Sequence, residues 1–189
     1  MIIISNIHES GIRDWFQNRT KRHISLVRKY CKLIDEHDHD RFDGILERGE
    51  KHDQSKFDDP EVEPYVWITW KHKCKADGIP FEAPDGMKER MTEASEHHVR
   101  NNAHHPEYHS SQEGDFISKE NRNKAPPGKV IDATKMGDLD IAEMTADWCA
   151  MSDELGDDPR KWADDNVNVR WKFSDSQKNL IYDLIDAIF

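Results

Sequence analysis

His52 and Asp53 stand side by side in the run Glu50-Lys51-His52-Asp53-Gln54-Ser55-Lys56-Phe57. An imidazole next to a carboxylate offers a hard divalent ion two different ligands, and Lys56 adds a cation where a phosphate could sit. A lone His-Asp pair is more often a solvated polar loop. Its company changes that: His23 upstream, a histidine-dense stretch from His97 to His109, and Asp147 further on. His23 taken alone reads as a hydrogen-bonded core histidine. Asp147 borders Met144, Trp148 and Met151, where a carboxylate is costly to desolvate unless a cation or a donor such as Arg170 faces it. Together, a helical His, a loop-edge His-Asp pair and a helical Asp supply four ligands to one ion.

The segment from Glu96 to His109 holds five histidines in fourteen residues. Helical phase puts His98 on the stripe of Met87, Met91 and Ala94 and leaves His97 on its flank, so His98 is expected to point inward. His104 and His105 follow the helix end, where a turn stiffened by Pro106 could bring either back toward the site. Imidazole exchanges protons near neutrality, so one histidine of this cluster could protonate a leaving oxygen.

These residues need helices to position them, and the periodicity supplies almost nothing else. Thr20 reads as the N-cap of a helix to about Asp35, with His23, Val27, Tyr30 and Ile34 on one face. Ile45 to Glu50 leads into His52-Asp53. Further helices are expected over about 62–76, with Val62, Tyr65, Val66, Thr69 and Trp70 as its stripe, over 85–101, and over 138–155. The last carries Ile141, Met144, Trp148, Met151 and Leu155 inward, with Asp147 beside them. Two more run over about 159–167 and 174–188, and Gly78-Ile79-Pro80 and Gly156 to Pro159 act as stops. Residues 106–137 carry Pro126-Pro127-Gly128 and no sustained period, which predicts a long polar loop or flap.

A chain of 189 residues suggests one domain, spanning 1–189 with its core over about 20–188. Mean hydropathy is low at -0.94, but six Trp, seven Phe and four Tyr supply large burial per residue. The formal charge of -11 opposes sequence-independent attraction to duplex nucleic acid or an anionic membrane. A small phosphate ester stays compatible, because a bound divalent ion dominates the charge of its own site. Cys31, Cys74 and Cys149 lack CxxC spacing, which argues against a disulfide framework or a thiolate zinc site and for a reducing interior. Met1 to Ile4 is too short for a signal segment, so a cytoplasmic location is expected.

The order His23, His52-Asp53, Asp147 on successive helices resembles the HD-domain superfamily of metal-dependent phosphohydrolases, whose signature is a His, a His-Asp pair and a distal Asp around one ion. A closer resemblance is to DUF5662, a family common in bacteriophage and bacterial genomes. It is carried by His-Ile-Ser-Leu-Val from 23, His-Asp-Gln-Ser-Lys-Phe from 52, Glu-Pro-Tyr-Val-Trp from 63, His-His from 97, Asn-Ala-His-His-Pro-Glu-Tyr-His from 102 and Ile-Ala-Glu-Met-Thr-Ala-Asp-Trp-Cys-Ala-Met from 141.

The superfamily resemblance implies an all-α, compact HD-domain-like helical bundle and one or two divalent transition-metal ions, drawn from Mn, Fe, Co, Ni and Zn. It implies His23, His52, Asp53 and Asp147 as ligands of one ion, with His98 and His104 as ligands of a second. Which of His97 or His98, and of His104 or His105, would ligate stays open. Asp53 and His105 are the catalytic candidates, and Lys56 and His97 the substrate-contacting ones. The expected activity is hydrolysis of a nucleotide or related small phosphate ester, in the host cytoplasm for a phage-encoded chain, and a homo-oligomer stays open. The alternatives are a di-iron oxygenase of the HD type and a non-catalytic, phage-encoded, metal-containing binding protein.

Overall fold

The computed structural model describes residues 9–110 and 130–189. Helix α1 spans Glu9–His37, starting well before the expected cap at Thr20. The reason is the stripe itself: Ile12, Phe16, Thr20, His23, Val27, Tyr30 and Ile34 recur at steps of three and four and are all buried. Thr20 is 4% exposed in the helix interior and caps nothing.

The remaining helices are α2 (Ile45–Lys51), a 3-10 turn (Gln54–Phe57), α3 (Val62–Ala76), α4 (Met87–Asn101), α5 (Pro106–His109), α6 (Asp138–Leu155), α7 (Pro159–Asn166) and α8 (Asp175–Ile188). Strands β1 (Ile131–Asp132) and β2 (Trp171–Lys172) form one short parallel pair. The architecture is therefore all-α. Among the described residues no helix is long and apolar enough to cross a membrane.

The chain packs as two compact units, one drawn from Met1–Arg22 and Gln54–His98, the other from His23–Asp53 and Val99–Phe189. In the first, Ile12, Phe16 and Val66 form a small core covered by Phe57, Val62, Tyr65, Trp67 and Trp70. Arg13 donates to Glu63 at 2.8 Å across its flank.

The second unit is organised by α6, which packs on α2, α7 and α8. Ile141, Ala142, Met144, Ala146, Cys149 and Ala150 are all buried, so α6 is covered nearly all round. Its end is set by Gly156 at φ 71, whose N–H returns to Ser152 O. Leu155, expected inward, is 63% exposed, because the stripe runs off the core in this last turn. Gly49 lets α2 approach α1 closely: a Cβ there would stand 3.0 Å from Cys31 Sγ. Helix α8 opens with a capping box, in which Gln177 N donates to Ser174 Oγ and Ser174 N to Gln177 Oε1.

Most of the expected polar loop over 106–137 falls on residues 111–129, outside the described residues. Its ends are corrected. Pro106–His109 is a helical turn, while Ile131, Ala133 and Met136 are core residues. Gln177 Nε2 holds this segment by donating to the carbonyls of Ala133, Thr134 and Met136 at 3.3, 3.2 and 2.9 Å. A run this short carries no readable period, which is why it reads as loop.

Candidate metal centre

In the second unit, α1 carries His23 on its buried stripe. Helix α2 stops at Lys51: His52 turns extended at ψ 130, and Asp53 follows in the left-handed region at φ 59. A non-glycine residue there is uncommon, and Asp tolerates it better than most. The abrupt turn leaves both side chains buried, His52 fully and Asp53 nearly so. Helix α6 contributes Glu143 and Asp147, four residues apart and therefore on one face. His104 comes from the segment after α4 and is 3% exposed.

These groups converge. His23 Nε2 lies 3.0 Å from Asp147 Oδ1 and 3.8 Å from Asp53 Oδ2. His52 Nε2 lies 3.7 Å from Asp53 Oδ2 and 3.9 Å from Asp147 Oδ1. His104 Nε2 lies 3.9 Å from the other Asp53 oxygen, Oδ1. The second unit thus brings together His23, His52, Asp53, His104 and Asp147, with the His105 ring 4.1 Å from that of His104. The desolvation argument for Asp147 is met by His23, while Arg170 Nη1 donates to Asn166.

Burial works to raise the pKa of Asp147, but the hydrogen bond from His23 and the charges of His23, His52 and His104 reverse it, holding the carboxyl well below its usual range. Burial opposes charge on His52, yet Asp53 and Glu143 raise its pKa. Burial and the neighbouring His52 lower that of His104, which favours its neutral, ligating form.

Glu143, which is not among the residues expected at the site, is 3% exposed and joins the other side of both rings. Its Oε1 accepts from His52 Nδ1 at 2.9 Å and lies 3.2 Å from His104 Nδ1, while Oε2 accepts from Arg48 Nε at 2.6 Å. The signal available was its spacing, one helical turn before Asp147 on the same face. Burial tends to raise its pKa, and the hydrogen bonds from His104 and His52 hold it far below the usual carboxylate range.

The donor set fits a divalent transition ion. Ligand atoms of His23, His52 and Asp147 lie within 4.8 Å of one another, as do those of His52, Asp53 and His104. Ligands at about 2.1 Å from an ion stand up to about 4 Å apart, so a small adjustment closes either set. Arg48 balances Glu143, and an imidazole that ligates an ion gives up its proton there, so a bound ion takes over the offset of the Asp53 and Asp147 charges.

Lys56, His97 and His98 belong to the first unit, where the two histidines gather around Glu61, a second residue the sequence did not signal. Glu61 is fully buried and accepts from His97 Nδ1 and His98 Nδ1, each at 2.8 Å, and from Ser55 Oγ at 3.0 Å. His98 is inward as expected, at 2% exposure, with Tyr65 edge-on to its ring. Lys56 Nζ sits 5.1 Å above the Tyr65 ring, a cation–π distance.

The model of a family of unknown function, DUF5662, matches residues 13–187. No curated protein and no solved structure matches the chain.

Proposed function

The chain belongs to DUF5662, and from that premise we propose that it is a metal-dependent phosphohydrolase of the HD-domain type, acting on a nucleotide or related small phosphate ester. The observation that carries this reading is the convergence of buried His23, His52 and Asp53 with half-buried Asp147, delivered by α1, the turn after α2, and α6. When bound, a divalent ion supplies Lewis acidity at a phosphoryl oxygen and makes a nucleophile available at neutral pH.

The chain's own residues do the rest. Burial of the imidazoles and carboxylates keeps bulk water out and strengthens every interaction between them. Asp53 presents Oδ2 to His23 and His52 and Oδ1 to His104, so a single carboxylate serves both sides of the site. As water attacks phosphorus and the ester bond breaks, the leaving oxygen needs a proton. His105, partly exposed and with its ring tilted against that of His104, is the group assigned to give it.

A second reading, a di-iron oxygenase, draws on the same nitrogen and oxygen donors, which suit iron as well as manganese or cobalt. Elemental analysis with an absorption spectrum, beside phosphate release from a panel of nucleotides and sugar phosphates with added Mn²⁺, separates the two. Phosphate release that disappears in His52→Ala supports hydrolysis. Bound iron with no phosphate release from any ester sinks it.

A further inference from the structure

Glu143 contacts two imidazoles of this centre through their Nδ1 atoms, while their Nε2 atoms face Asp53. We infer that Glu143, braced by Arg48, is a positioning residue that fixes His52 and His104 in one tautomer, with the proton on Nδ1 and the Nε2 lone pair facing Asp53 and Asp147. This rests on the metal-site reading for its purpose, though not for its geometry.

An ionised carboxylate can only accept hydrogen bonds. Glu143 Oε1 is 2.9 Å from His52 Nδ1 and 3.2 Å from His104 Nδ1, so each Nδ1 must carry a hydrogen to satisfy the contact. In the neutral ring the opposite nitrogen is then bare. His52 Nε2 faces Asp53 Oδ2 and Asp147 Oδ1, and His104 Nε2 faces Asp53 Oδ1. The two rings lie 4.3 Å apart, so one oxygen serves both. A ligating histidine is normally oriented by the acceptor at its other nitrogen.

Arg48 makes the carboxylate dependable. Its Nε donates to Glu143 Oε2 at 2.6 Å and its Nη2 to Asp140 Oδ1 at 2.8 Å, clamping two acidic residues of α6 from α2. The guanidinium occupies the oxygen that the imidazoles do not use. Rotation of the carboxylate is thereby prevented, and its charge is offset in a buried place.

The consequence differs from that of a merely structural ion pair. In Glu143→Gln the amide has one oxygen and one NH₂. If the oxygen faces the imidazoles, the NH₂ meets Arg48 Nε–H, donor against donor; if it turns round, the NH₂ meets two N–H groups. Adding Arg48→Met removes the first conflict and lets the oxygen return to the rings.

The test uses the full chain. Long-range ¹⁵N–¹H spectra of the metal-free protein, taken at a pH where both rings are neutral, should show His52 and His104 as Nδ1–H tautomers, and Glu143→Gln should mix or invert them. Zn²⁺ affinity, followed by calorimetry, should fall about 10–100-fold in Glu143→Gln and recover in part in the Glu143→Gln, Arg48→Met double variant. An Nε2–H tautomer at either histidine in the wild type overturns the inference, whether or not the variants fold. So does Zn²⁺ affinity in Glu143→Gln equal to wild type. A wild type that takes up no metal but shows both Nδ1–H tautomers sinks the metal-site reading and leaves the role of Glu143 standing.

Discussion

His23 Nε2 and Asp147 Oδ1 stand 3.0 Å apart, although one comes from α1 and the other from α6. At that distance the two atoms share a proton, and the same two atoms are ligand candidates for one ion. An ion and that proton therefore exclude each other. On the far side of the ring, Glu154 Oε2 stands 3.8 Å from His23 Nδ1, beyond hydrogen-bond range but close enough for its charge to favour a proton on Nδ1.

The first prediction is that His23 changes tautomer when metal binds, while His52 and His104 do not. The proton of His23 sits on Nε2 in the metal-free protein and on Nδ1 once Zn²⁺ is added. Zn²⁺ is diamagnetic, so the same ¹⁵N spectra follow all three rings through a titration. Saturation with Zn²⁺ while Nε2–H of His23 persists would remove His23 from the ligand set.

The second concerns Asp147→Asn. The amide keeps the volume and a hydrogen bond to His23 but loses the charge an ion needs, so metal affinity should fall at least about tenfold. Without metal the variant has one fewer half-buried carboxylate to desolvate, and its melting temperature should stay within about 4–8 °C of wild type. A collapse of the metal-free melting temperature, with metal content per folded molecule unchanged, would make Asp147 a structural partner of His23 only.

The third follows from Glu61. Burial tends to raise its pKa, but hydrogen bonds from His98, His97 and Ser55 outweigh that and lower it below the ordinary value. A carboxyl lowered on folding stabilises the native state above its unfolded pKa of about 4.3 and loses that contribution as pH falls through the folded value. Glu61→Gln should therefore cost about 2 kcal/mol near neutrality, with the gap to wild type narrowing steadily below about pH 4. Urea unfolding of both proteins from pH 7 to pH 3 measures it. A gap that widens on acidification would mean the carboxylate contributes little in the native state.

What the sequence made legible is what helical periodicity and residue type can carry. His23 falls on the inner face because its stripe runs in regular steps from Ile12 to Ile34, and His98 is inward for the same reason. α6 is bounded where the expectation put it, because Gly156 supplies the left-handed stop. The start of α1 was misplaced because Thr20 is a good cap residue by type, and type alone cannot show that Ile12 and Phe16 already extend the stripe. Glu143 was legible only as a spacing. Its partners, His52 and His104, come from segments far away in the chain, and nothing local marks a carboxylate that two distant imidazoles will share. Glu61 is harder still, since its three donors come from Ser55, His97 and His98 and are assembled only by folding.

The last prediction tests the packing that delivers His52. Gly49 lies in α2, three residues before His52, and a Cβ there would meet Cys31 Sγ at 3.0 Å and Cys31 Cβ at 3.1 Å. Cys31 is fully buried, and burial pushes its thiol pKa up to about 12, so it is a neutral space-filler with little room to yield. Gly49→Ala gains about 1 kcal/mol of helix propensity but overpacks the contact at a cost of about 1–3 kcal/mol, so net destabilisation is expected. Because α2 must step back, metal affinity should fall as well. Cys31→Ala removes the sulfur and should relieve part of the strain, giving a favourable coupling of about 1 kcal/mol in a double-mutant cycle. Strictly additive effects of the two substitutions would mean that α2 and α1 do not meet at Gly49 and Cys31, and that another contact sets the position of His52.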